Sequence, residues 1–142
     1  MKNLLFALFF LNMYAVASPT GVDSYEIYLN NQLLFRQSLD KPLHLINLPL
    51  TDAIAGDNLV IRYTQCNAPG KTGSNRIISV KDAEGNVVKK WAFKDAEGSN
   101  KAMVIPIKEL LFIFKKSTGT LSLHYSAEGF AQGQKLVNLQ AV

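Results

Sequence analysis

The chain has 142 residues, 48% of them apolar, with one cysteine, five prolines, nine glycines and a formal charge of +4. That apolar content excludes an intrinsically disordered chain, the glycine content excludes a fibrous repeat, and a single cysteine excludes a disulfide scaffold. A chain of this length makes one domain around one core.

Lys2 precedes the uninterrupted apolar run Leu4–Leu11, and Ala15-Val16-Ala17 stands before Ser18-Pro19. A charged start, a short apolar stretch and small residues at −3 and −1 predict a secretory signal peptide cut after Ala17. A spanning helix would need about 20 apolar residues, and the segment Met1–Ala17 offers fourteen with Asn12 inside. Residues 1–17 are therefore read as a leader and residues 18–142 as one secreted or periplasmic domain with no stable membrane span. Losing Lys2 leaves fourteen basic and eleven acidic residues, a mature charge of +3. The cations are scattered, so a solvated surface is expected and nucleic acid is not an expected partner. Cys66 is expected to be buried and inert. No Asn-x-Ser/Thr occurs, which with the short leader points to a bacterial chain.

Short alternating runs broken by turn residues follow the leader, and no long segment carries a clean helical stripe. They predict strands at Ser24–Leu29, Leu33–Gln37, Leu43–Leu48, Asn58–Gln65, Arg76–Lys81, Val87–Phe93, Ala102–Ile107, Thr120–Ser126 and Lys135–Gln140, with one helical turn in Lys108–Lys115. Glycines from Gly129 to Gly133 read as turn punctuation. Eight or nine strands in about 125 residues predict an all-β fold, an antiparallel two-sheet sandwich of immunoglobulin-like or jelly-roll type.

Two hairpins have a readable register. A three-residue loop ending at Gln32 would set Ile27 opposite Phe35 and Glu26 opposite Arg36. It would also gather Tyr25, Ile27, Leu29, Leu33 and Phe35 on one face, which outweighs the two-residue turn suggested by Asn30-Asn31. In the second hairpin, an Ala83-Glu84-Gly85 loop would set Val80 opposite Val88, Ser79 opposite Lys89 and Ile77 opposite Trp91. The run Lys81–Asn86 recurs as Lys94–Asn100, and both copies suit a tight turn opened by Asp. A single-turn calcium site on Asp82, Glu84 and Asn86 is the lesser reading, its acidic spacing being incomplete.

Catalytic patterns are sparse. The run Gln65–Thr72 ends in Gly-Lys-Thr like a phosphate-binding loop, but Gln65 stands where the first glycine belongs, and a β-like segment follows instead of a helix. No Gly-x-Ser-x-Gly occurs, and His44 and His124 stand 80 residues apart with no ligand cluster beside either. No metal, cofactor or catalytic residue is expected, and both histidines are read as cross-strand polar positions.

The expectation is an exported, non-catalytic binding or structural-interaction module for a protein or glycan of the cell envelope or medium. Its candidate contacts are the face of Trp91, Lys89 and Phe93, and the flexible loop carrying Asn67, Lys71, Ser74 and Asn75. On that face Trp91 is either the sandwich's central aromatic or part of an exposed patch. The alternative is an enzyme-inhibitor or immunity-type protein using loop 67–75, and a small carboxylate-based hydrolase ranks below both.

Overall fold

In β1 (Ser24–Leu29) alternation sends Tyr25 and Ile27 inward, 1% and 0% exposed, and leaves Glu26 and Tyr28 on the other side. The same period of two organises β2 (Gln32–Ser38), β4 (Asn58–Thr64), β5 (Arg76–Lys81), β6 (Val87–Phe93), β7 (Ala102–Pro106), β8 (Leu121–Ala127) and β9 (Phe130–Leu139), with β3 a two-residue strand at Asn47–Leu48. These come from a computed structural model that describes residues 22–40, 47–48, 54–96, 101–117 and 119–139. The expected segment Leu43–Leu48 lies outside the described residues except for β3, and so does His44.

The strands form two sheets, one ordered β2-β1-β4-β7 and the other β3-β9-β8-β5-β6. Every pairing is antiparallel except the short β3–β9 contact, which is parallel. The predicted two-sheet sandwich is the architecture observed. Ile27, Leu59, Ile61, Met103 and Ile105 of the first sheet face Ile78, Val80, Leu123, Val137 and Leu139 of the second, all fully buried. Each contributes about 1.5–3 kcal/mol by leaving water, which is the main cohesive term.

Three tyrosines join the sheets at one end. Tyr63 on β4 stacks on Tyr125 of β8 with centroids 3.9 Å apart, and lies parallel to Tyr25 of β1 at 6.1 Å. Their hydroxyls find partners inside: Tyr25 donates to the Leu136 carbonyl and Tyr63 to Asp23 Oδ2. Burial pushes the Tyr25 hydroxyl up to about 12, so all three rings stay neutral in ordinary buffers.

The hairpins correct both predicted registers, and for one reason. In the first, Ile27 pairs with Phe35 and Glu26 with Arg36 as expected, but Tyr28 pairs with Leu33 and Leu29 with Gln32. Asn30 does take the left-handed conformation of a tight turn, at φ 53°. A bulge at Leu34 absorbs the extra residue, so turn preference and core pairing are both met, and Leu33 swings out to 41% exposure. In the second hairpin Lys81 pairs with Val87, and a bulge at Val88 then shifts the remainder by one. Val80 therefore faces Lys89 and Ile78 faces Trp91, one residue from the predicted pairing. Arg36 and Glu26 make their cross-strand ion pair at 2.5 Å on the solvent side.

Two further expectations are revised. The single helical turn is a ten-residue helix, α1 (Ile107–Lys116), with Ile107, Leu110 and Ile113 buried. Glu109 in its first turn and Lys115 and Lys116 in its last complement the helix dipole. The glycines after Gly129 are not all turn punctuation: β9 begins at Phe130, and Gly133 sits within it at φ 68°, where the ladder with β8 is irregular.

Candidate functional site: a groove between the sheet edge and the helix

Strand β6 is the edge of its sheet and carries Trp91, Lys89 and Phe93 on one side, as the sequence suggests. The corrected register puts that side against the core. Trp91 and Phe93 are half-buried and pack on the core cluster, while Lys89 at the open end stays exposed. The Trp91 indole N–H donates to Glu109 Oε2 of α1 at 2.5 Å, tying helix to edge strand. Trp91 is thus a half-buried aromatic that ties β6 to α1.

Beside that tie lies an open groove of about 520 Å³ between β6 and α1. Its apolar surface comes from Val88 and Phe112, 44% and 58% exposed, with Ile113 beneath. Lys89, Lys108 and Lys116 fence it, and Lys116 Nζ stands 4.2 Å from the centre of the Phe112 ring. Glu109 is the one carboxylate among the described lining residues, and Trp91 engages it. Of the residues singled out from sequence, only Lys89 lines this groove. Val88, Lys108, Phe112 and Lys116 were missed. A signal was present: Lys108, Phe112 and Lys116 recur every four residues and form one row along a helix, off the buried stripe.

The second candidate surface lies at the other end of β5 and β6. Asn67 and Ser74 line a polar depression of about 420 Å³ with Gln65, Thr72 and Glu128. Lys71 and Asn75 are exposed but do not line it. Hydrogen bonds tie the loop to its surroundings at several points. The Gln65 amide donates to the Lys71 carbonyl, and the Cys66 amide to Asp23 Oδ1. Asn75 donates its amide to Asp95 and its side-chain Nδ2 to Glu128, and the Glu128 amide donates to the Ser74 carbonyl. Its tip, Pro69–Lys71, is a tight turn in which Gly70 and Lys71 take the left-handed conformation, at φ 65° and 61°. Cys66, expected to be buried, is half-buried, and its backbone amide is held by Asp23. Val88 and Asp95 are separated by most of β6, roughly 23 Å at ~3.3 Å per residue, so the fold keeps the two surfaces apart.

The aspartates of the two repeated runs are used differently, and residues 97–100 of the second run lie outside the described residues. Asp82 closes its turn by accepting the amides of Glu84 and Asn86 and the Asn86 side chain, which holds its carboxyl below the usual range. Asp95 instead receives the Asn75 amide and anchors the loop. Asp82 and Glu84 share a shallow depression, but Asp82 is committed to the turn and ionised. It lacks the raised pKa that a protonating acid in a carboxylate pair needs.

Ser122 and His124 come together on the outward side of β8, with Oγ 2.8 Å from Nε2. Burial, with Lys81 and Lys135 beside it, pushes the imidazole down to about 4, which makes it a weak base. The same shift has a consequence for stability. A histidine titrates near about 6.5 in an unfolded chain, so between that pH and about 4 the unfolded state takes up the proton first. Stability therefore falls as pH drops through this window, by about 1 kcal/mol once solvent screening of a half-exposed ring is allowed for. Urea midpoints at pH 7 and pH 4.5 are expected to differ less in His124→Gln than in the wild type. An unchanged difference would place the titration elsewhere.

No family model matches the chain, and no match was found among curated proteins or solved structures.

Proposed function

We propose that the protein is an exported, non-catalytic binding module that holds a partner protein in the groove between β6 and α1. The observation that carries this reading is Phe112, more than half exposed beside Val88 within a ring of three lysines. A large aromatic left in water costs about 1.5–3 kcal/mol relative to burial, and an apolar centre with a polar rim is the anatomy of a protein interface. The lysines select a segment bearing both apolar and acidic side chains. The weak basicity of His124 and the commitment of Asp82 to its turn support the non-catalytic part of the reading.

Phe112→Asp tests it. Immobilised wild-type protein should retain a discrete species from envelope or medium, and the variant should retain at least about tenfold less while its thermal midpoint is unchanged. Retention of the same species by both proteins would sink the groove. A second reading has its own observation: the pinned loop with exposed Lys71 is rigid enough to enter an enzyme's cleft. Binding lost in a Lys71→Ala variant but kept in Phe112→Asp would favour that inhibitor-type reading.

A further inference from the structure

The outward side of the five-stranded sheet carries a different chemistry from the groove. Its register sets Lys90, Ser79, His124 and Lys135 directly opposite one another on β6, β5, β8 and β9. In the next row Lys81 stands opposite Ser122, with Asn138 beyond it. At ~4.8 Å per strand, Lys90 and Lys135 are roughly 14 Å apart across the sheet, with Lys81 between them. Ser79 and Ser122 are each 8% exposed, so their hydroxyls form the floor and the lysines the margins.

None of the five strands of this sheet contains an aspartate or glutamate. On the other sheet Arg36 is neutralised by Glu26; here the three ammonium groups face no carboxylate from their own sheet. Burial first, and then the nearby charges of Lys81 and Lys135, depress the basicity of His124, which accords with the placement of these lysines around it. Nor does any aromatic ring lie at the outward positions of the register, so nucleobases find no stacking platform. What the face offers is hydroxyls, an amide and an imidazole set among cationic point charges. That combination matches a polymer of sugar hydroxyls and carboxylates.

We infer that this face binds an acidic polysaccharide, with carboxylates bridging Lys81, Lys90 and Lys135 and sugar hydroxyls meeting Ser79, Ser122 and Asn138. This site is separate from the groove and does not depend on it. The full chain can be tested by affinity electrophoresis through polygalacturonate, with neutral dextran and a single-stranded oligonucleotide as comparisons. Retardation by polygalacturonate, none by dextran, and weakening with added salt are expected. The Lys81→Gln/Lys135→Gln variant should bind about tenfold more weakly, whereas Arg62→Gln/Lys115→Gln, with the same net charge and at exposed positions off this sheet, should lose less than about twofold. Lys90→Gln, at an exposed edge position, gives a second reading of about threefold should the double variant lose its circular-dichroism signature. Equal loss in both double variants would reduce the effect to net charge. Tighter binding of the oligonucleotide, or no retardation by polygalacturonate, would overturn the assignment.

Discussion

Tyr63→Ala should cost about 3–5 kcal/mol, the largest loss expected from one substitution in this domain. The ring is 1% exposed and is the middle member of the tyrosine stack, 3.9 Å from Tyr125 of the opposite sheet. Removing it leaves a cavity between two pleated surfaces that cannot close around it, and it also ends an aromatic pairing worth about 0.5–1.5 kcal/mol. The hydroxyl has a second task. It donates to Asp23 Oδ2 while the other oxygen of Asp23 accepts the Cys66 amide, so the ring anchors the first residues of the 65–75 loop. Tyr63→Phe keeps the stack and loses only this bond, at about 1 kcal/mol. Urea unfolding followed by the fluorescence of Trp91, the sole tryptophan, would measure both. For a domain of ordinary stability, about 5–15 kcal/mol, the alanine variant should be visibly less stable at room temperature. A loss below about 1 kcal/mol would mean that the sheets close without this ring.

Gly73→Ala should destabilise the protein by about 2–3 kcal/mol and dislodge the pinned loop. Space, not backbone freedom, is the reason. A β-carbon here would stand 2.6 Å from Ala127 Cβ, 2.6 Å from Gln65 Oε1 and 2.7 Å from the Tyr125 hydroxyl oxygen. The Gln65 amide can turn away, but Ala127 sits on β8 and the Tyr125 ring is clamped against Tyr63, so the loop itself must lift. Gly70→Ala provides the contrast, because its β-carbon meets nothing closer than Thr72 Oγ1 at 4.0 Å and only its left-handed backbone resists, at about 1 kcal/mol. Calorimetry of the two variants should rank them in that order. Hydrogen exchange at the Gln65 and Cys66 amides should quicken in the first. Equal midpoints would show that the loop accommodates a methyl group without strain.

The strand pattern was legible because each strand is half-buried, and Ser24–Leu29, Arg76–Lys81 and Val87–Phe93 begin and end where alternation and turn residues place them. The polar side of β8 was legible too, with His124 at a cross-strand position between Ser79 and Lys135. The helix was under-read: Ile107, Phe112, Ile113 and Phe114 are β-branched or aromatic and dilute the helix preference of Lys108–Leu111, and the i, i+3, i+6 burial of Ile107, Leu110 and Ile113 extends the helix over ten residues. The loop's hydrogen-bond partners Asp23, Asp95 and Glu128 were not legible, because they are far away in sequence.

Composition and local periodicity by themselves determined two antiparallel sheets, the approximate strands, the turn chemistry of Asp82 and the cross-strand pair of Glu26 with Arg36. Tertiary structure alone decided which side of β6 faces inward, where α1 lies, and hence that Trp91 serves cohesion while Phe112 is left in water. The physical reason is that a one-residue bulge, at Leu34 or at Val88, changes no local preference but exchanges the two faces of a strand beyond it, and only packing against the opposite sheet selects it.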